Sequence, residues 1–130
     1  MSPESYNDVT MVVVEDHDDL RRSIARFLRQ VGANVVEAQN AIEGLEAIKN
    51  LSPTLILSDI LMPGVDGFEF LREIRALRSN GERPVPVIAM TALVSPGDRE
   101  RIFAAGFRAY LPKPFTPDML FETISSVLND

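Results

Sequence analysis

The chain contains no cysteine, which excludes a disulfide framework, a thiolate zinc site and a cysteine nucleophile. That absence is compatible with a reducing compartment. No apolar run approaches the roughly 18 residues that a membrane span needs. The opening stretch MSPESYNDVT has no basic and apolar leader pattern, so a cytoplasmic protein without membrane insertion is expected. Positive charge is also scarce: 13 Lys and Arg stand against 19 Asp and Glu, a formal net charge of -6. The basic residues are scattered, so no face suits a phosphodiester backbone and direct nucleic-acid binding is not expected. No internal repeat or low-complexity tract stands out. What is present is 130 residues, 45% apolar and 25% charged, enough for one domain with its own core and too few for a second.

Residues 1–8 are polar, carry Pro3 and show no periodicity, and they read as a flexible tail ahead of a domain over 9–130. From Val9 on, apolar strand-like runs alternate with amphipathic segments. The runs are MVVVE (11–15), NVVEA (34–38), LILSD (55–59), PVIAMT (86–91) and AYLPK (109–113). The intervening segments predict helices over 19–31, 41–51, about Gly67 to Ser79, about Asp98 to Ala105, and a last one with Leu120, Ile124, Val127 and Leu128 in phase. In the first helix Leu20, Ile24, Phe27, Leu28 and Val31 share a face. Gly32 sits where a helix C-terminal cap belongs, and Thr116-Pro117 supplies an N-cap with proline at the first helical position. The central runs are continuous Val, Ile and Leu, as in a parallel sheet covered on both faces. Five such units predict a single doubly wound α/β domain with flavodoxin-like strand order 2-1-3-4-5 and helices on both faces.

In an open sheet of this kind ligands bind beyond the carboxyl ends of the strands, near the switch in strand order. The strands end in Glu15-Asp16, Asp59, Thr91 and Lys113, and in the predicted order these side chains converge on one rim. Three crowded carboxylates repel one another unless a cation neutralises them. Hard oxygen ligands with an open water shell suit Mg²⁺, or Mn²⁺ in its place. Such an ion bridges to phosphate oxygens, and a lysine ammonium and a hydroxyl are the donors expected for the rest of a phosphoryl group. A carboxylate beside the ion can itself accept the phosphoryl group, and Asp59, central among the strand ends, is the best candidate nucleophile.

Four segments carry a resemblance to a known family: VVVED (12–16), LSDILMPGVDGFEFL (57–71), IAMTA (88–92) and YLPKPF (110–115). In order and spacing they are similar to the signature segments of two-component response-regulator receiver domains, over about Val9 to Asn129. The resemblance implies that Asp59 accepts a phosphoryl group from the phosphohistidine of a sensor histidine kinase or a histidine phosphotransfer protein. It implies Asp16, Asp59 and the backbone carbonyl of Leu61 as metal ligands, with Glu15 assisting directly or through water. Lys113 would contact the phosphoryl group or the acceptor carboxylate, Thr91 would bond to it after transfer, and Tyr110 occupies the switch-aromatic position. Lys113-Pro114 falls where the family has a cis peptide bond. The implied role is that of a signalling domain taking part in its own phosphorylation and dephosphorylation, with a downstream protein as target, and not an enzyme acting on a separate substrate.

There are two departures from the commonest family pattern. The acidic pair is Glu-Asp, and Leu61 and Leu93 stand two residues after the acceptor and the threonine. Neither leucine can orient a water for attack on an aspartyl phosphate, so slow to moderate self-dephosphorylation is expected. The single histidine, His17, reads as an exposed helix start with no catalytic part, and the phenylalanines as core or half-buried helix faces. A flavin-binding reading is disfavoured because EDHDD presents four carboxylates to a phosphate. A haloacid-dehalogenase-like phosphatase lacks its second acid, Leu61 standing in that place, and would need a cap for which the chain has no material. A receiver-fold module that binds partners without phosphorylation is the remaining alternative. The chain stops where the fifth helix stops, so a stand-alone regulator or a receiver from a longer hybrid kinase is expected, with no attached output domain.

Overall fold

The computed structural model describes residues 6–62, 64–77, 84–93 and 95–129. Five strands, β1 (Thr10–Val14), β2 (Asn34–Ala38), β3 (Leu55–Asp59), β4 (Val87–Thr91) and β5 (Ala109–Pro112), alternate with five helices. These are α1 (Asp18–Gln30), α2 (Ala41–Leu51), α3 (Gly67–Ala76), α4 (Pro96–Ala105) and α5 (Pro117–Leu128). Every strand pairing is parallel and the order is β2-β1-β3-β4-β5, the doubly wound order that the periodicity predicts. β3 and β4 are buried along their whole length, which is why their runs do not alternate. Period-2 alternation instead sorts their side chains between two cores. Met11, Val13, Leu55 and Leu57 pack with Ile24, Leu28, Leu120 and Ile124 of α1 and α5. Val12, Val14, Ile56 and Val87 pack with Ile48 of α2, Phe70, Leu71 and Ile74 of α3, and Ile102 of α4.

Each helix begins at a side chain that accepts a backbone N–H of its first turn, satisfying a donor the helix itself leaves unpaired. The caps are His17, Asn40, Asp66, Ser95 and Thr116. Ser95 and Asp98 form a reciprocal capping box that starts α4 at Pro96, two residues ahead of the sequence-based start. The sequence-based end of α3 at Ser79 lies outside the described residues. Residues 1–5 of the expected tail also lie outside them. At Tyr6 the chain is already tied down: its side chain is buried, its N–H donates to the Val31 carbonyl at 2.8 Å, and its hydroxyl meets Ser125 Oγ at 2.7 Å.

The connection after β3 is built to return the chain at once. Leu61–Met62 pairs antiparallel with Val65–Asp66 in a short ribbon, and Gly64 between them adopts φ 78, a conformation favourable to glycine. Gly67 then donates its N–H to the Ile60 carbonyl at 2.9 Å. A Cβ at Gly67 would stand 2.5 Å from Ile60 Cα, so no other residue fits without moving the segment that follows Asp59. Gly67→Ala is expected to cost about 2–3 kcal/mol, at the upper end of overpacking penalties. Urea unfolding measures it, and a loss below about 0.5 kcal/mol would show that the turn yields freely.

Candidate functional site

The parallel register ends four neighbouring strands at one edge, and three acids and one lysine from these ends meet there. One carboxylate oxygen each from Glu15, Asp16 and Asp59 lie within 4.8 Å of one another. Glu15 and Asp59 are only 1% and 4% exposed, whereas Asp16 is open to solvent. Lys113 reaches in from the end of β5, its Nζ 2.8 Å from Glu15 Oε1 and 3.4 Å from Asp59 Oδ2. Glu15 Oε2 also accepts the His17 N–H at 3.1 Å, and Asp59 Oδ1 accepts the Leu61 N–H at 3.0 Å. The buried Thr91 accepts the Leu93 N–H on Oγ1 at 3.0 Å.

The electrostatics of Asp59 follow from this packing. Burial, reinforced by the neighbouring Glu15 charge, pushes its carboxyl from an ordinary 3.8 up to about 6, against the opposing pull of Lys113 and the Leu61 N–H. One ammonium shared between two buried carboxylates leaves the cluster short of positive charge. A hard cation with oxygen preference fits that deficit and the donor set, two buried carboxylates and a solvent-open one.

The sequence-predicted site residues other than Tyr110 lie at this edge, though not in one role. Lys113–Pro114 is cis, and the Lys113 N–H donates to the Thr91 carbonyl at 2.8 Å, which locks the end of β5 to the end of β4. Tyr110 lies one pleat back, half-buried, with the Arg99 guanidinium of α4 5.8 Å from its ring centroid. The Leu61 side chain is 58% exposed. It lines an open cleft of about 670 Å³ with Asp16, Met62, Phe68, Leu93 and Arg101. The Arg101 guanidinium stands 4.8 Å from the Phe68 ring centroid, a cation–π geometry. His17 caps α1 through Nδ1, which accepts the Leu20 N–H at 3.4 Å.

Sequence reasoning missed Arg21. It is buried and its Nη1 donates to the main-chain carbonyl of Glu15 at 3.0 Å. The signal was available, because Arg21 is in phase with the core-facing Ile24, Ala25 and Leu28 of α1, an unusual place for a charge.

A doubly wound domain with an acidic cluster at its strand ends defines a class of proteins with a ligand site at the carboxyl edge of a parallel sheet. The response regulator receiver domain model matches residues 11–125, and the chain belongs to that family, the receiver domains of two-component systems. It is 34% identical to the polar-differentiation response regulator DivK of Brucella anthropi over 122 residues, covering 93% of this chain and 97% of that one. It is 35% identical to response regulator Rre1 of Synechocystis over 92% of this chain, but spans only 52% of Rre1. The receiver domain of sensor histidine kinase PA1611 from Pseudomonas aeruginosa superposes with TM-score 0.81 at 34% identity, over 94% of this chain and 98% of that one. That structure carries a magnesium ion coordinated in its active-site cleft. Among the described residues no helix is long and apolar enough to cross a membrane.

The raised Asp59 pKa has a testable sign. The cation-free folded protein holds the Asp59 proton more tightly than the unfolded chain, so stability from this group is full below about pH 4 and is lost as pH rises through 6. The full shift corresponds to at most about 3 kcal/mol, and water at the open rim reduces it. In EDTA at pH 7, Asp59→Asn is therefore expected to be about 1–2 kcal/mol more stable than the native chain, the difference shrinking toward pH 4. Denaturant curves at both pH values decide this; a less stable Asn variant at pH 7 refutes the charge-crowding account.

Proposed function

We propose that the chain is a phosphoryl-accepting switch whose acceptor is Asp59. The observation that carries this reading is the convergence of Glu15, Asp16 and Asp59 within 4.8 Å, with Lys113 on both buried carboxylates. Asp16, Asp59 and the Leu61 carbonyl would hold Mg²⁺ or Mn²⁺, with Glu15 ligating directly or through water; the magnesium ion of the PA1611 receiver domain supports this assignment. Such an ion supplies charge neutralisation for phosphoryl oxygens brought against carboxylates.

The donor is the phosphohistidine of a sensor histidine kinase or a histidine phosphotransfer protein. An Asp59 carboxylate oxygen forms the new bond to phosphorus while the bond from phosphorus to the imidazole nitrogen breaks, its electron pair staying on the ring. Lys113 then faces a phosphoryl oxygen in place of a carboxylate, and Thr91 turns its hydroxyl from the Leu93 N–H toward the added group. Because the Lys113 N–H is bonded to the Thr91 carbonyl, the change at Asp59 is felt along β4 and β5 together. Tyr110 and Arg99 stand on that path, so the face of α4, β5 and α5 is the one that alters for a downstream protein. Residues 9–130 form the responsive domain, and residues 1–8 its leading segment. A cytoplasmic location suits this partner chemistry.

Intact-mass measurement after incubation with acetyl phosphate and Mg²⁺ should show one phosphate adduct, absent in Asp59→Asn. With Leu61 and Leu93 flanking the acceptor, the adduct should outlast a few seconds. No adduct even with a cognate kinase would leave only partner binding without phosphorylation. Asp16→Ala is expected to abolish Mg²⁺ binding in a calorimetric titration while the fold is retained; an unchanged titration would remove Asp16 from the ligand set.

A further inference from the structure

Arg21 is the only buried cation among the described residues, and its three nitrogens go to three different places. Nη1 donates to the Glu15 main-chain carbonyl at 3.0 Å. Nη2 pairs with Asp18 in the first turn of α1 at 2.8 Å, and Nε lies 3.4 Å from Glu37 on the edge strand β2. Glu37 is held in turn by Arg29, 3.2 Å away. The guanidinium thus joins the turn after β1, the start of α1 and the edge of the sheet, yet its hydrogen bond to Glu15 is to the main chain and not to the carboxylate.

The Glu15 main chain is fixed from two sides. Its N–H donates to the Ala38 carbonyl at 3.0 Å, and its carbonyl takes the Arg21 bond, which is buried. The peptide between these two anchors and Asp16 aims both carboxylates. A buried carbonyl deprived of its donor draws the turn toward another partner or toward water, and a shift of the peptide moves both carboxylates together.

We infer that Arg21 is a positioning residue for the cation site, setting through the Glu15 carbonyl where the Glu15 and Asp16 carboxylates stand. The inference rests on the reading of the acidic cluster as a cation site. It runs against simple electrostatics, which gives the opposite sign: a nearby guanidinium repels a divalent ion, so its removal should tighten binding. Positioning demands that removal weaken it. A lysine keeps the charge but has one nitrogen where arginine presents three in a rigid fork, so it cannot span Glu15, Asp18 and Glu37.

The test is titration of the full chain with Mg²⁺ alone by calorimetry, for the native protein, Arg21→Gln and Arg21→Lys. It is done at a temperature where thermal unfolding in EDTA shows each to be fully folded. The Kd is expected to weaken by about tenfold in Arg21→Gln, the lower end of losses on removing a group that orients metal ligands, and by about threefold or more in Arg21→Lys. If Arg21→Gln fails to fold, the lysine variant decides alone, since its charge is unchanged and any weakening is geometric. A lowered melting temperature with an unchanged or tighter Kd overturns the inference and makes Arg21 a stability residue only. No Mg²⁺ binding by the native chain overturns it together with the cation reading, and the two failures are distinguished by that control.

Discussion

Two carboxylates taken out of water within reach of a third is the constraint around which the rest of the structure is arranged. Buried carboxylates side by side repel each other, and the protein supplies one ammonium, Lys113, to serve both. The charge left over keeps the site receptive to a cation and costs stability while none is bound. Burial beside Glu15 raises the Asp59 carboxyl above its ordinary range, so the ionised acid is held under electrostatic strain. Strain of this kind is common where a site must respond to a ligand.

The fold meets the constraint with rigid parts. β1, β3 and β4 are buried, flanked by strands and covered by helices on both faces, so Asp59 is delivered from a strand that cannot move sideways. The turn from Ile60 to Gly67 closes on itself through one hydrogen bond and a backbone approach that only glycine permits. The acidic pair lies just past the end of β1, where the Glu15 N–H makes the last bond to β2, at the Ala38 carbonyl. There the anchoring passes to a side chain, Arg21, whose partners come from α1 and β2.

The contacts leading outward from the site follow the same logic. The bond from the Lys113 N–H to the Thr91 carbonyl joins the two strand ends that carry the ammonium and the hydroxyl. Tyr110 lies two residues before Thr91's register partner Pro112 and beneath Arg99 of α4. These contacts are the ones that the proposed switch would use between the site and the surface between α4 and β5.

Much of this was legible in the residues alone. Short apolar runs separated by amphipathic segments leave few arrangements other than a parallel sheet between helices, and such a sheet puts every strand end at one edge. That is why Glu15, Asp16, Asp59, Thr91 and Lys113 can be grouped from the sequence. What periodicity cannot carry is contact between side chains from elements distant in sequence. Tyr6 was read as part of a tail because a polar neighbourhood hides its partners Val31 and Ser125, and Arg21 passed unnoticed because its role depends on a carbonyl and on Glu37 across the edge of the sheet. The sequence by itself determined the alternation of strands and helices along the chain and which residues stand at the strand ends, since hydrophobic period and strand-end chemistry are local. Only the tertiary structure decided that Lys113 is shared between two acids, and that the Glu15 carbonyl is held by a buried guanidinium. Burial and distance across elements, not pattern along the chain, set those interactions.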